Sequence, residues 1–492
     1  MLAAQTKVEI VTTQGAFTKN EFEKDVLMFS HILRMREITE GDRVILKAEN
    51  SYWYIVCLFS LCHLDVSIAV VDEQMPDHEL SKIYREIGAC CLITDAPSEI
   101  EGIAVLPIES MIEEKEGYRS GPGKPNPSEI TIDRWTRRRD ALILFSSGTT
   151  GKPKGIMKSG NSFIHNIELS VQAMGYQPDD RLLPLVPFSH FYGISLIFSW
   201  WLTQCTLIVC NYKNLWNVIS SIMNEKATVV DANPAAYYTF LRMLSRKPHH
   251  MDQIRNSTVR MWCVGGSPLT DDLSDRFAKI FNQFLLNGYG LSELGNVTMG
   301  TLENPKGCGK PLPGVELRVL DPSGAELAEG ETGEIWIRTP GCMEGYLNQE
   351  ELTQSVIIEG WFKTGDVGLL LEGNLHVLGR AGTLVNRMGY MFSPVYIENQ
   401  ISRVGYRSCV IALDDEKKGT LLIVFVENDT GRSLSMIRKT ITQLLPTYMY
   451  PDLLLLLAQF PLNRNGKVDR LKLQCLAKEK MHSKNEEEGR GS

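Results

Sequence analysis

The chain has 492 residues, 43% of them hydrophobic and 22% charged, with a formal net charge of −8. That length exceeds what one hydrophobic core can serve and points to about three domain-sized units. The composition excludes fibrous and largely disordered classes, and the net negative charge excludes a general binder of nucleic-acid phosphates, so no nucleic-acid partner is expected. Met1 to Lys7 has no charged start leading into an apolar core, so no secretory signal is expected. The 11 cysteines include one adjacent pair, Cys90-Cys91, and no Cys-x-x-Cys spacing, which fits a reduced, cytoplasmic location.

In chain order, Arg43–Ala48 predicts a short strand, Tyr52–Leu64 a largely buried helix and Ser67–Val71 a second strand. Leu80–Ile87 then reads as a helix and Ala89–Thr94 as a strand. Strand, helix, strand at this spacing implies crossover connections and a parallel sheet. The most apolar stretch, Ile194–Cys210, is interrupted by Ser195, Ser199, Thr203 and Gln204. A membrane-spanning helix wants about 20 uninterrupted apolar residues, so the stretch reads as a buried helix followed by a strand at Thr206–Cys210, and no stable span is expected. The aromatic residues near Trp200 and Trp201 suit a pocket wall or, more commonly, core packing.

The winding returns with a helix at Leu215–Asn224, a strand at Ala227–Val230, a helix at Ala235–Leu244, a strand at Arg260–Val264 and a helix at Asp272–Phe281. Two wound α/β layers are therefore expected within the first part of the chain. From about Gly307 short strands separated by Gly, Pro and Asp turns (Glu316–Leu320, Gly333–Arg338, Val367–Leu371, Asn374–Leu378) suggest a small antiparallel barrel or sheet. After Gly379 a final α+β unit has strands at Arg407–Leu413 and Leu421–Val426 and a helix at Leu434–Leu445. The tail from Lys478 offers little to bury and is expected to be disordered.

The most informative segment is Phe145-Ser146-Ser147-Gly148-Thr149-Thr150-Gly151-Lys152-Pro153-Lys154-Gly155, which follows a strand-like run at Asp140–Phe145. Small residues let backbone amides and hydroxyls converge on an anion, and two lysines add charge. It is not the P-loop of nucleotide triphosphatases. Only two residues separate Gly148 from Gly151, and Pro153 follows Lys152 where a metal-binding hydroxyl belongs.

This loop closely resembles the phosphate-loop signature of the adenylate-forming superfamily of acyl- and aryl-CoA ligases, carrier-protein adenylation domains and firefly-type luciferases. The resemblance continues in order along nearly the whole chain. His190-Phe191-Tyr192-Gly193 resembles the segment bordering the acyl pocket, and Gly265-Gly266-Ser267-Pro268 the adenine-side turn. Asn287-Gly288-Tyr289-Gly290-Leu291-Ser292-Glu293 is similar to the family's Tyr-Gly-x-Thr/Ser-Glu motif. Met343 to Asn348, Trp361 to Asp366, Gly379-Arg380, Gly389, Pro394 to Glu398 and Asn465-Gly466-Lys467 follow at the expected places.

By this resemblance, residues 1–379 form a large N-terminal domain whose α/β layers run to about 305 and whose small β subdomain follows to 379. Residues 380–382 would be a hinge and 383–477 a small mobile α+β lid. The resemblance implies ATP and Mg2+ as reactants, a small-molecule carboxylic acid as substrate, and coenzyme A or the phosphopantetheine of an acyl carrier protein as acceptor. It assigns Lys467 to bridging the carboxylate and α-phosphate, and Glu293 with Thr149 to magnesium. Ser146, Ser147, Gly148, Thr149, Thr150, Gly151 and Lys154 would contact phosphates. Asp366 would accept the ribose hydroxyls, Arg380 would touch ribose or phosphate, and Tyr289 would stack near adenine, flanked by Gly265, Gly266, Ser267, Asn287, Gly288, Gly290 and Ser292. His190 would act on the acyl side. The chemistry agrees: attack of a carboxylate on the α-phosphate brings two anions together, so charge neutralisation is the main demand.

Three positions depart from the family pattern. Gly382 stands where Asp or Lys is usual, which relaxes the hinge backbone and is expected to alter the balance of the two half-reactions. Asn386 replaces a frequent lysine, and Ser292 a threonine. Amino-acid-activating relatives place an Asp just after the His190 region, and Gly193 to Trp201 has no acid. Asp231 is a possible substitute, but a role capping the following helix suits it better. An apolar aryl or medium-chain acid is therefore expected. A luciferase-like oxygenase, and a non-catalytic binding protein on a decayed ligase scaffold, are the rival readings.

Overall fold

A computed structural model describes residues 9–96, 100–119, 129–146, 154–380, 385–387, 390–415, 419–428, 431, 433–463 and 467–489. Two large sheets carry the first part of the chain. One has seven strands, in the order Gly345–Tyr346, Lys154–Lys158, Leu142–Ser146, Ser67–Val70, Arg43–Lys47, Cys91–Thr94 and Val105–Pro107. From Leu142–Ser146 onward its neighbours run parallel. Short Val-, Ile- and Leu-rich strands, buried at every position except Arg43, are what a sheet covered on both faces demands.

The other sheet has nine strands, in the order Lys310–Pro311, Gly295–Met299, Leu285–Leu291, Met261–Val264, Val229–Ala232, Arg181–Leu185, Thr206–Val209, Glu9–Thr12 and Gly15–Thr18. Its central strands are parallel, and both edges are antiparallel hairpins. The helices Gly160–Met174 and Phe191–Thr203 lie between the two sheets. One continuous core joins Val44 and Leu144 through Phe163, Ile167 and Phe198 to Leu182 and Leu286. Trp200 belongs to this core, edge-on to Phe22 at 5.3 Å between ring centroids, and is not a pocket wall.

The next unit is a five-stranded antiparallel sheet: Glu316–Leu320, Gly333–Arg338, Trp361–Leu371 and Ile357–Ile358, with Asn374–Arg380 also paired to Trp361–Leu371. Its register sets Asp366 directly opposite Arg380. The last part of the chain builds its own core around Ile397, Ile401, Val410, Leu422, Val424, Ile437 and Ile441. Arg403 reaches Asp271 at 3.1 Å and Glu427 meets Arg242 at 3.4 Å, so this unit rests on the helices Asp271–Phe281 and Pro234–Leu244.

A helix runs from Arg470 to Gly489, past Lys478, from which a disordered tail is expected; its Leu473 and Ala477, and within that tail Met481, pack with Ile411, Ile423 and Phe425. A few apolar anchors suffice because Lys, Glu and Met are strong helix formers, a property that low hydrophobicity conceals.

Candidate active site

The site is assembled where the two sheets and the five-stranded unit meet. Strand Leu285–Leu291 leaves the parallel sheet and turns back as Gly295–Met299, and the turn presents Ser292 and Glu293. The hairpin is tight enough that a side chain at Gly290 would lie 2.5 Å from the Gly295 carbonyl oxygen. Gly295 itself has φ +81°, and a Cβ there would lie 2.5 Å from Asn166 Oδ1. Glycine is required at both for the turn to close.

Glu293 is held from several sides. Its Oε1 accepts from the Tyr346 hydroxyl at 3.0 Å, and its carbonyl accepts from the Met343 N–H at 2.6 Å. The same carbonyl lies 3.3 Å from the Lys158 ammonium, which also donates to the Gly341 carbonyl. Lys158 is fully buried, and burial pushes its ammonium down to about 8. Lys154 sits 5.4 Å from the centre of the Tyr346 ring. Tyr346 is placed by its strand, which pairs with Lys154–Lys158.

A second group lies on the five-stranded sheet. The Tyr289 hydroxyl donates to Asp366 Oδ2 at 2.6 Å, and Arg380 Nε meets Asp366 Oδ1 at 2.7 Å. Arg380 also donates to the Thr364 carbonyl at 3.1 Å, while the Thr364 hydroxyl accepts from the Asp366 N–H at 2.9 Å. Burial pushes the Asp366 carboxyl above its usual range, and the Arg380 charge opposes that rise. Lys467 lies near enough to Arg380 to feel its charge. Burial first, and then the Arg380 charge, hold its ammonium below the ordinary lysine value. Its segment is fixed by Asn463, whose side chain accepts from the Lys467 N–H at 3.0 Å.

Ser147 to Gly151 of the phosphate loop, and Gly382 of the hinge, lie outside the described residues. The loop's two ends are nevertheless placed: Ser146 and Lys154 are register partners in an antiparallel pair that opens beside Tyr346. His190 starts the helix Phe191–Thr203, with Nε2 at 3.5 Å from Asp72. Gly265 packs beneath the Tyr192 ring, and Gly266 and Ser267 follow at the end of strand Met261–Val264. Asn287 and Gly288 lie in strand Leu285–Leu291, and the Asn287 amide is 3.3 Å from Cys308 Sγ.

The capping role expected of Asp231 is also corrected. The helix Pro234–Leu244 is capped by Asn233, which accepts from the Ala236 N–H at 2.8 Å. Asp231 instead points from its strand to Tyr192, whose hydroxyl donates to it at 3.0 Å, and burial pushes its carboxyl up to about 7. An acid whose folded value is raised binds its proton more tightly when folded. Stability is therefore lost as pH rises from about 4 to about 7 and is level above. Asp231→Asn removes that loss: the variant should match the parent near pH 4 and exceed it at pH 8 by on the order of 2–4 kcal/mol. Melting temperature against pH measures this, and parallel curves for the two proteins would contradict it.

Sequence reasoning missed Tyr346, Lys158 and Thr364. Tyr346 lies inside a quoted motif, so its nearness to Glu293 was accessible only through the pairing of its strand. Lys158 carries no signal at all: a lysine ending a short strand looks like a solvated residue.

The chain belongs to the AMP-binding enzyme family, whose model matches residues 3–347. It is similar to the 2-succinylbenzoate–CoA ligase of Bacillus pumilus, 26% identical over 95% of each chain. It is also 26% identical over 93% of its length to bacitracin synthase 3 of Bacillus licheniformis, 7% of which is covered. The crystal structure of ATP-bound MatB from Rhodopseudomonas palustris matches it with a TM-score of 0.85, 25% identity and 96% coverage of each chain. The chain is thus an enzyme of the acyl-CoA ligase class. Among the described residues no helix is long and apolar enough to cross a membrane.

Proposed function

We propose that the enzyme forms an acyl-adenylate from ATP and a carboxylic acid, releasing pyrophosphate, and then transfers the acyl group to the thiol of coenzyme A. The observation that carries this reading is the Tyr289–Asp366–Arg380 group, joined at 2.6 Å and 2.7 Å, with Lys467 from the far end of the chain near enough to feel the Arg380 charge. Asp366 and Arg380 bind the ribose side of the nucleotide, and Tyr289 holds Asp366 while flanking the base. The 146–154 hairpin grips the phosphates, with Lys154 as its charge. Lys467 neutralises the approaching carboxylate and the α-phosphate together. His190, braced by Asp72, lies on the acyl side.

Among the described residues no three His, Cys, Asp or Glu side chains form a metal cage. A single carboxylate such as Glu293 suits magnesium, which takes most of its oxygens from phosphate and water. Glu293 and Thr149 would hold it, and when bound it offsets the charge of the phosphates. Residues 380–382 act as the hinge on which the terminal unit turns between half-reactions.

The acid is apolar, aryl or medium-chain. The helix Phe191–Thr203 is apolar and without acids, and Asp231 is engaged by Tyr192 with a raised carboxyl value, which makes it a weak counter-ion for an ammonium. Coenzyme A is favoured as acceptor because the succinylbenzoate–CoA ligase is matched along almost its full length. The likeness to bacitracin synthase 3 supports a second acceptor, a carrier-protein phosphopantetheine. Mass spectrometry of products formed with coenzyme A and with a holo-carrier protein decides between them. An acyl-coenzyme A thioester is expected, and acylation of the carrier alone would overturn the choice.

A further inference from the structure

Lys158 has no place in the reaction outlined above, yet its setting is unusual. It ends the strand that leaves the phosphate loop, and it is fully buried. A lysine there must shed its water, and an apolar side chain would pack in the sheet without that penalty. The ammonium is satisfied by the Glu293 carbonyl at 3.3 Å, by the Gly341 carbonyl and by the Phe191 ring, 5.4 Å to its centre. These partners come from three parts of the fold: the hairpin turn of the nine-stranded sheet, the connection before Gly345–Tyr346, and the helix Phe191–Thr203. One cation therefore ties the phosphate-loop hairpin to the turn that carries the carboxylate.

The contact falls on the main chain of Glu293, leaving its carboxylate to Tyr346. The same carbonyl also takes the Met343 N–H at 2.6 Å, so both of its acceptor directions are used to fix the turn. We propose that Lys158 is a positioning residue for magnesium–nucleotide binding, pinning the Glu293 turn against the Gly341 connection so that the carboxylate meets the metal beside the phosphate loop. This rests on the reading of Glu293 as a magnesium ligand.

Lys158→Met keeps the length and volume of the side chain and removes the charge and the donors. Supporting groups of this kind tune metal affinity by about 10- to 100-fold. The magnesium concentration giving half-maximal pyrophosphate exchange should rise by that factor in the variant. Calorimetry should show weaker binding of ATP with magnesium and unchanged binding of ATP in excess chelator. An unchanged magnesium midpoint, or ATP binding weakened equally with and without metal, would overturn the proposal. Lys158→Gln, which keeps an uncharged N–H donor group, is read in the same assays and should fall between; it serves alone if the Met variant does not fold. Glu293→Gln separates the two claims. If it leaves the magnesium midpoint in place, the reading of Glu293 fails; if it shifts the midpoint and the Lys158 variants do not, only the role of Lys158 fails.

Discussion

Replacing Lys467 by alanine is expected to lower carboxylate-dependent exchange of pyrophosphate into ATP by about 10²- to 10³-fold, the usual cost of losing one preorganised donor at a developing charge. The first half-reaction joins two anions, so a cation between them is the main demand. Burial lowers the affinity of Lys467 for its proton, the sign of an ammonium partly stripped of water, whose charge acts more strongly on the phosphate. The Asn463 contacts, 3.0 Å and 2.7 Å, hold the Lys467 backbone in place. Thioester formation from a supplied acyl-adenylate needs no such neutralisation and should change by less than about threefold. Rapid-quench measurement of the two steps tests this, and an equal loss in both would contradict it.

Asp366→Ala should weaken ATP binding by about 10- to 100-fold, the range for hydrogen bonds to a charged group. It should also remove discrimination between ATP and 2′-deoxy-ATP. Asp366 is almost buried, with 7% of its side chain exposed, and lies between Tyr289 and Arg380. A site built to receive a hydroxyl rejects the analogue lacking it, because its polar group is then left unpaired. The variant has no such group, so both nucleotides should bind alike. Equilibrium binding of the two nucleotides to parent and variant reads the effect. Discrimination retained in the variant would place the ribose elsewhere.

The winding of the two sheets was legible because buried parallel strands are continuous apolar runs, as in Arg43–Lys47 and Met261–Val264, separated by helices. The antiparallel character of Glu316–Arg380 was legible from its turns. Helix capping was read less well: Asp231 and Asn233 are both cap-forming residue types, and only the backbone geometry assigns the cap to Asn233. The terminal helix was missed because composition weighs burial and neglects propensity. In the site, the motifs named Glu293, Asp366, Arg380 and Lys467 from their order along the chain. Their mutual contacts were not legible, since Asp366 meets Arg380 through strand register and Tyr289 through a junction between two sheets. Lys158 and Tyr346 act through backbone carbonyls and strand pairing, which leave no trace in residue spacing.

Adenylation of a carboxylic acid is read by exchange of labelled pyrophosphate into ATP over a panel of aryl, fatty and amino acids. Exchange supported by aryl or medium-chain acids, and lowered by about 10²- to 10³-fold in Lys467→Ala, is expected. No exchange with any acid, or exchange indifferent to Lys467, would contradict it.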